Sequence, residues 1–498
     1  MKNGRRILFP LVVVAAVLAG LLSPVLAREL PVDLSQVERL RLLGPNNVPL
    51  KVLVVANPGQ TMHFAVELIK TIAAINEADQ PPAEERVKVH VVLSHASARA
   101  QLASAVPPLL KNLVEVNDKF FTTDQWMQDW GEVAAIRVKG DPKQHIAVLD
   151  SNRGRGIAEL PKILANFWNC ACLKNPSTRF ACGDYGGNVE VTPDDVLIIG
   201  NTSTEEFREF LASHGYRDRM VVVETDWLRV GHCDEYLSVI PNPKAAEGFT
   251  VVKANPRQAL RLIKDSPRPD LEKIEVPEYR EMMLAVHDYL NSAAGVAATR
   301  GVQAADAGPA TPYQARVVKY LDSLDATGAP GPHPLPLMRN LGTVPPAGAG
   351  SGDRAAAMAR AEEFVKMNLA LATVIDSNIK AVTAKIDEVN KTPKAIHSVL
   401  SFPVLYHQRG GKHIAFVPGV VNQLIVRRHL IIPDPKIKAF RDYIAGVATK
   451  VGLVPHFLDD MPYHTLEGEI HCGTNVFRHP NRYVVKPKNL PAELAPLR

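Results

Sequence analysis

Aromatic residues are scarce in this chain: Phe, Trp and Tyr make up 6 % of its 498 residues. A platform for stacking successive bases needs more of them. Charge of one sign is lacking too. Lys and Arg number 57 against 52 Asp and Glu, a formal net charge of +5, which is too slight a basic excess to mark a nucleic-acid partner. Cysteine is limited to five residues, so the chain is not a small disulfide scaffold. Beyond the N-terminus no apolar run is long enough to span a membrane. What is present is ordinary for a globular protein with a large core: 46 % apolar and 22 % charged residues, which excludes a collagen or a wholly disordered chain. The length allows up to about three domains or one large α/β domain.

The one long apolar run lies at the start. Lys2, Arg5 and Arg6 precede an apolar stretch from Ile7 to Leu22, followed by Val25-Leu26-Ala27. This is the pattern of a secretory signal peptide (residues 1–27) cut after Ala27. The alternative is an uncleaved anchor, but the stretch is short for a bilayer and carries Pro10 and Gly20. The segment holds three basic and no acidic residues, so its removal takes the net charge from +5 to +2. The expected location is secreted or periplasmic, with no membrane contact after cleavage.

In an exported chain, five cysteines leave at least one thiol unpaired. Cys170, Cys172 and Cys182 are close enough for a local disulfide, without the sequence saying which pair forms. A zinc site there is the weaker reading, because no nearby His or second C-x-C completes four ligands. Cys472 stands apart from the rest and is the candidate working thiol.

Short apolar runs at Lys51–Ala56, Val87–Leu93, Ile146–Leu149, Val196–Ile199 and Met220–Val223 read as buried strands. Between the first two, Ala65, Leu68, Ile69 and Ile72 share one face of a helix over Phe64–Ile75. The alternation predicts a mixed α/β core, with no repeat of fixed period. Residues 301–352 are rich in Ala, Gly and Pro and read as a surface insertion with one short helix near Ala315–Leu324. An amphipathic helix follows, with Phe364, Met367, Leu371, Val374, Ile375, Ile379, Val382, Ile386 and Val389 toward the core.

Three segments concentrate reactive side chains: Asp124–Glu132 (DQWMQDWGE), Val230–Glu235 (VGHCDE) and Glu469–Val476 (EIHCGTNV). Cys and His alone would suit acyl transfer, but carboxylates beside them would repel the thiolate and give an oxyanion no donors. Carboxylates do suit a guanidinium, which carries five donors in a planar fork and is buried at low cost only when carboxylates accept them. A thiolate can then attack the central carbon, and a His can protonate the departing nitrogen and activate water. The result is a ureido group and ammonia. Singly, each residue has a duller reading: Asp129 as a cap or surface acid, His232 and Asp234 as a hydrogen-bonded pair on one face of a strand, and Cys472 as a buried structural thiol.

Together the segments resemble the signatures of the protein-arginine deiminases, in the same chain order. DSNRGRG at Asp150–Gly156, GNVEVTP at Gly187–Pro193, Phe416–Pro433 and the lead-in from Gly452 add to the likeness, which covers roughly residues 48 to 485. The resemblance implies a five-module pseudo-symmetric α/β propeller: one large catalytic domain over residues 48–490, after a lead-in at 28–47, interrupted by the 301–352 insertion. It implies Cys472 as nucleophile, His232 as general acid/base, and Asp129 and Asp234 as the guanidinium clamp. Trp126 would line the substrate's aliphatic stem, and Arg153 and Arg155 would contact its peptide backbone. Their plain alternative is surface solubility. The substrates implied are proteins or peptides with exposed arginine, converted to citrulline.

The resemblance also implies calcium, which takes hard oxygen ligands. Gln128, Glu132 and Glu190, with the carbonyls of Gly186 and Val189, match one site of the family. Asp150 and Ser151 match part of a second, where Trp130 and Gly154 replace an acid and an Asn; one good site and one weakened or absent are expected. The chain departs from the vertebrate members in its leader, in the insertion, and in having only about 20 residues between Ala27 and the first strand, too few for their immunoglobulin-like domains. Two other functions remain: a deiminase or dihydrolase of free arginine or agmatine, and an exported binding protein that kept the fold and lost catalysis.

Overall fold

The computed structural model describes residues 34–296, 352–391 and 399–488. The leader at 1–27, most of the 301–352 insertion and the short helix near Ala315–Leu324 lie outside the described residues. Within them, no helix is long and apolar enough to cross a membrane.

The chain runs through β1 (Val37–Leu42), β2 (Asn47–Ala56), β3 (Lys88–Leu93), β4 (Val114–Phe121), β5 (Gly131–Val138), β6 (Gln144–Asp150), β7 (Ala171–Lys174), β8 (Val189–Val191), β9 (Leu197–Gly200) and β10 (Met220–Val223). It continues through β11 (Leu237–Pro241), β12 (Phe249–Ala254), β13 (Val399–Phe402), β14 (Tyr406–Arg409), β15 (Lys412–Ala415), β16 (Leu424–Val426), β17 (His429–Pro433), β18 (Val454–Leu458) and β19 (Thr474–Tyr483).

Among the described residues these strands form six sheets, and five of the six contain the same unit. Two strands pair antiparallel, a helical crossover follows, and the next strand pairs parallel with the second. β5-β6-β7 is one such unit, crossed over by helix Leu160–Trp168. β8-β9-β10 uses Glu205–Leu211. β11-β12-β13 uses several helices, including Pro256–Asp265, Pro277–Leu290 and Gly352–Asn390. β16-β17-β18 uses Lys438–Lys450. The fifth is assembled from both ends of the chain: β19 pairs antiparallel with β2, and helix Met62–Asp79 leads β2 to parallel β3. This is the five-module α/β propeller. β1 and β4 extend two of the sheets, and β14-β15 is an added hairpin.

Local sequence explains the units. Val52 to Ala56 of β2 are all buried, as expected of a parallel strand covered on both faces. Helix Glu205–Leu211 starts where the Thr204 side chain accepts the Phe207 N–H, and Pro256–Asp265 starts at Asn255, whose side chain accepts that of Gln258. The expected stripe on Gly352–Asn390 is present, with Phe364, Leu371, Ile375, Ile379, Val382 and Ile386 buried in the core that also holds β11 and β12.

The segments entering the five first strands meet in a closed ring. Cys472 O accepts the Gln128 N–H at 3.1 Å. A Cβ on Gly186 would come within 2.4 Å of Gln128 O. Asn188 Oδ1 accepts the Cys233 N–H at 3.1 Å, and Asn422 Nδ2 donates to Asp234 O at 3.4 Å. Asn422 Oδ1 accepts the Cys472 N–H at 3.1 Å. Each module therefore delivers side chains to one centre.

Candidate active site

Asp129 reaches this centre through a turn. Thr122 Oγ1 accepts the Asp124 N–H at 2.9 Å, Asp124 Oδ1 that of Trp126 at 3.3 Å, and the Ser151 hydroxyl donates to Asp129 O at 2.6 Å. His232 and Asp234 do not alternate along a strand as expected. His232 is extended, and residues 233–235 form a single 3₁₀ turn before β11. Glu235 Oε1 accepts the N–H groups of both Gly231 and His232 at 2.9 Å, which bends the chain into the site. Gly187 lies beneath: a Cβ there would stand 2.6 Å from His232 Nδ1 and 2.9 Å from Asp234 Oδ2.

Cys472 is buried. Its Sγ accepts from Asn422 Nδ2 at 3.2 Å and points its proton at Asp234 Oδ2, 3.6 Å away. The same Oδ2 accepts from His471 Nδ1 at 2.8 Å. Asp234 Oδ1 is buried with no hydrogen-bond partner, as is His232 Nδ1. His232 Nε2 instead lies 2.9 Å from the Cys182 carbonyl and 3.4 Å from its Sγ.

Burial, and then the Asp234 carboxylate, hold the Cys472 thiol well above its ordinary pKa. The thiol therefore stays protonated in this arrangement, opposite to the lowering expected from a neighbouring imidazolium. Burial disfavours charge on His232, but Cys182, Asp129 and Asp234 together lift it well above the usual histidine value. Burial raises Asp129, with Arg153 and His232 opposing. The centre is thus rich in carboxylate and holds an acceptor oxygen with nothing to accept from, a combination that favours a planar cation with several donors.

The remaining expected residues divide. Trp126 is half-buried against Gly468, where a Cβ would come within 2.3 Å of the indole. The Arg153 guanidinium is buried and bonded to both Asp129 and Asp124. It is thus occupied by the chain's own carboxylates rather than presented to a peptide, because two buried acids require a counter-charge. Arg155 is exposed, 3.3 Å from Asp124. All five cysteines are free thiols, so no local disulfide forms: Cys170 and Cys172 lie on or beside β7, while Cys182 sits against His232. That contact, and those of Asn422 and His471, were not singled out from the sequence, because they depend on which modules become neighbours. Asn422 falls within Phe416–Pro433, the stretch that already showed the family likeness.

Gln128, Glu132, Val189 and Glu190 line one small cavity of about 50 Å³, with His471 and Arg478. Gln128 Nε2 donates to Glu132 Oε1 at 2.7 Å. Gly186 adjoins this set, a Cβ there falling 2.7 Å from Glu132 Oε1. Burial and then Glu190 push Glu132 well up, and burial takes Glu190 up to about 7. Arg478 is the offsetting cation and is itself pushed down by burial to about 10. Among the described residues no three His, Cys, Asp or Glu side chains cluster as a metal centre; the third side chain here is an amide. A buried carboxylate on Glu190, a half-buried one on Glu132, an amide and a small cavity fit a hard cation. At the second set the Ser151 hydroxyl donates to Asp129 O and Asp150 Oδ1 accepts the Asn152 N–H at 2.8 Å, while Trp130 is fully buried in the core and Phe180 covers Gly154.

A family model described as protein-arginine deiminase matches residues 87–294 and 354–483. Protein-arginine deiminase type-3 of Rattus norvegicus is 24 % identical over 384 residues, 72 % of this chain and 47 % of that protein. The type-4 enzyme of Homo sapiens is 23 % identical over 387 residues, with the same coverage. The chain spans about half the length of these relatives. Among solved structures, a putative arginine deiminase from Porphyromonas gingivalis aligns at TM-score 0.47 and 12 % identity, over 89 % of this chain and 99 % of that one. An agmatine deiminase of C. jejuni aligns at 0.45 and 11 %, over 88 % and 96 %.

Proposed function

The chain belongs to the protein-arginine deiminase family, and from that premise we propose that it hydrolyses peptidyl arginine to peptidyl citrulline, releasing ammonia. The observation that carries this reading is the cradle at Cys472: a buried thiol 3.6 Å from Asp234, whose second oxygen is buried without a partner.

A guanidinium entering this cradle gives Asp234 Oδ1 a donor, and Asp129 accepts from its other edge. Its positive charge offsets the carboxylates that hold the thiol up, so Cys472 releases its proton to solvent water as the substrate binds. The thiolate attacks the central carbon, and the adduct is close to neutral. His232, protonated because its pKa is raised, gives a proton to one nitrogen, which leaves as ammonia. Water, deprotonated by the now neutral His232, then adds to the thiouronium carbon, and as the C–S bond breaks the remaining hydroxyl proton passes to the departing sulfur, restoring the Cys472 thiol and leaving the ureido product. The unpartnered Nδ1 of His232 supports assigning both transfers to that atom.

Calcium would be held by Gln128, Glu132 and Glu190 with the carbonyls of Gly186 and Val189. It would supply the positive charge that lets Glu132 and Glu190 stay ionised on either side of the segment presenting Asp129. Export to an extracellular or periplasmic space belongs to the same proposal and rests on residues 1–27.

Colorimetric detection of ureido groups on a blocked arginine peptide, free arginine and agmatine tests the function. Citrulline formed from the peptide in preference to the small substrates is the expected result. Turnover of free arginine or agmatine alone would favour the small-substrate reading, and none at all a binding protein.

A further inference from the structure

We propose that Phe180 forms an apolar subsite at the mouth of this centre, so that the enzyme favours arginines with an aliphatic or aromatic neighbour in the peptide. This rests on the peptidyl reading above. Phe180 is 70 % exposed, the most exposed aromatic side chain among the described residues. An open aromatic ring is unremarkable on a mobile loop, but this loop is pinned. Asn152 Nδ2 donates to Ser177 O at 2.8 Å, Asn175 Oδ1 accepts the Ser177 N–H at 2.9 Å, and Asn175 Nδ2 donates to Asp184 Oδ2 at 3.1 Å.

The ring lies directly on the chain at Gly154, where a Cβ would fall 2.5 Å from Cγ of the ring. Glycine alone allows that approach. Gly154 stands between Arg153, which bonds the clamp residue Asp129, and exposed Arg155. Two residues after Phe180, Cys182 holds His232 Nε2 at 2.9 Å. Two residues of extended chain reach at most about 7 Å, so the Phe180 backbone lies close to the segment that holds His232, while its ring, 70 % exposed, lies on Gly154 beside Arg153. A preorganised aromatic at this place binds apolar surface without an ordering cost.

The test uses two peptide series, acetyl-X-Arg-Gly-amide and acetyl-Gly-Arg-X-amide, with X as Gly, Leu, Phe or Lys. In one series kcat/KM should rise about five- to tenfold from Gly to Leu or Phe, the scale of a small apolar pocket. The gain should lie in KM with kcat unchanged, as for uniform binding. Phe180→Ala should cut that ratio below about twofold, and Phe180→Leu should keep most of it. Leu109→Ala, in the 3₁₀ turn that precedes β4, should change nothing. A wild-type enzyme indifferent to X in both series, or a preference that survives Phe180→Ala, overturns the subsite and leaves the deiminase reading standing. Failure to deiminate any peptide removes that reading, and the subsite with it.

Discussion

Replacing Asp234 by Asn should push two measurements of the same protein in opposite directions. Asn keeps the shape of the side chain and can still accept from His471 Nδ1, which stands 2.8 Å from Oδ2. It removes the negative charge that is the second cause, after burial, of the raised Cys472 pKa. The thiol should therefore ionise more readily, and a neutral alkylating reagent should label Cys472 faster at fixed pH. Turnover should collapse, because the guanidinium loses a buried counter-charge. Breaking a buried ion pair from one side costs about 3–5 kcal/mol, a loss of roughly two hundred- to several thousandfold in kcat/KM. Asp234 is almost wholly buried, so solvent screening hardly discounts this. Iodoacetamide labelling resolved by peptide mapping, which separates Cys472 from the other four thiols, gives the first measurement; citrulline formation gives the second. Slower labelling of Cys472 would refute the electrostatic account of the thiol. A loss below about tenfold would show that Asp234 does not face the guanidinium.

Cys472→Ser should abolish turnover while leaving the melting temperature close to wild type, and residual activity near normal would remove the covalent mechanism. Gly187→Ala should lower kcat/KM by at least about a hundredfold, since its Cβ would displace His232 and Asp234; an active Gly187→Ala enzyme would show that the segment yields freely. Cys182→Ala removes one of the groups that raise His232, so the alkaline limb of the pH–rate profile, where His232 loses its proton, should move to lower pH; an unmoved limb would separate the two side chains. Burial holds Glu469 and Glu235 up to about 8, so the stability they favour when protonated should fade as pH climbs from about 4.5 toward 8, and Glu469→Gln should flatten that part of a melting curve taken against pH. Chelation should abolish activity and lower the melting temperature, and calcium should restore both with a Hill coefficient near one; full activity in excess chelator would leave Gln128, Glu132 and Glu190 purely structural.

The strands at Lys51–Ala56 and Val87–Leu93 and the helix over Phe64–Ile75 are legible in the sequence because burial on both faces or on one face leaves a pattern there. The fivefold repetition is not. Its first strands begin at residues 131, 189, 237, 424 and 474, and the third unit is stretched by its long helices, so no period survives. At the centre, Asp129, His232, Asp234 and Cys472 announce themselves by chemical type. The turn at Cys233–Glu235 does not, because the side chain that forms it, Glu235, bonds its own backbone rather than following a strand pattern. The pairing of Arg153 with Asp129 and Asp124 was equally hidden. An arginine in a motif looks the same whether it meets a substrate or an internal acid, and only burial distinguishes the two.

The union of β19 with β2 ties the timing of activity to synthesis. The strand that closes the ring begins two residues after Cys472 and pairs through Thr474↔Val54 and its neighbours. On the ribosome, four modules can fold while β2 still presents an unpaired edge, the kind of surface that recruits other strands. Until the last segment arrives, the nascent chain has Asp129, His232 and Asp234 but not Cys472. A chain cut short before Cys472 lacks that thiol and leaves the β2 edge open to other strands, so Cys472 enters the protein together with the strand that seals it.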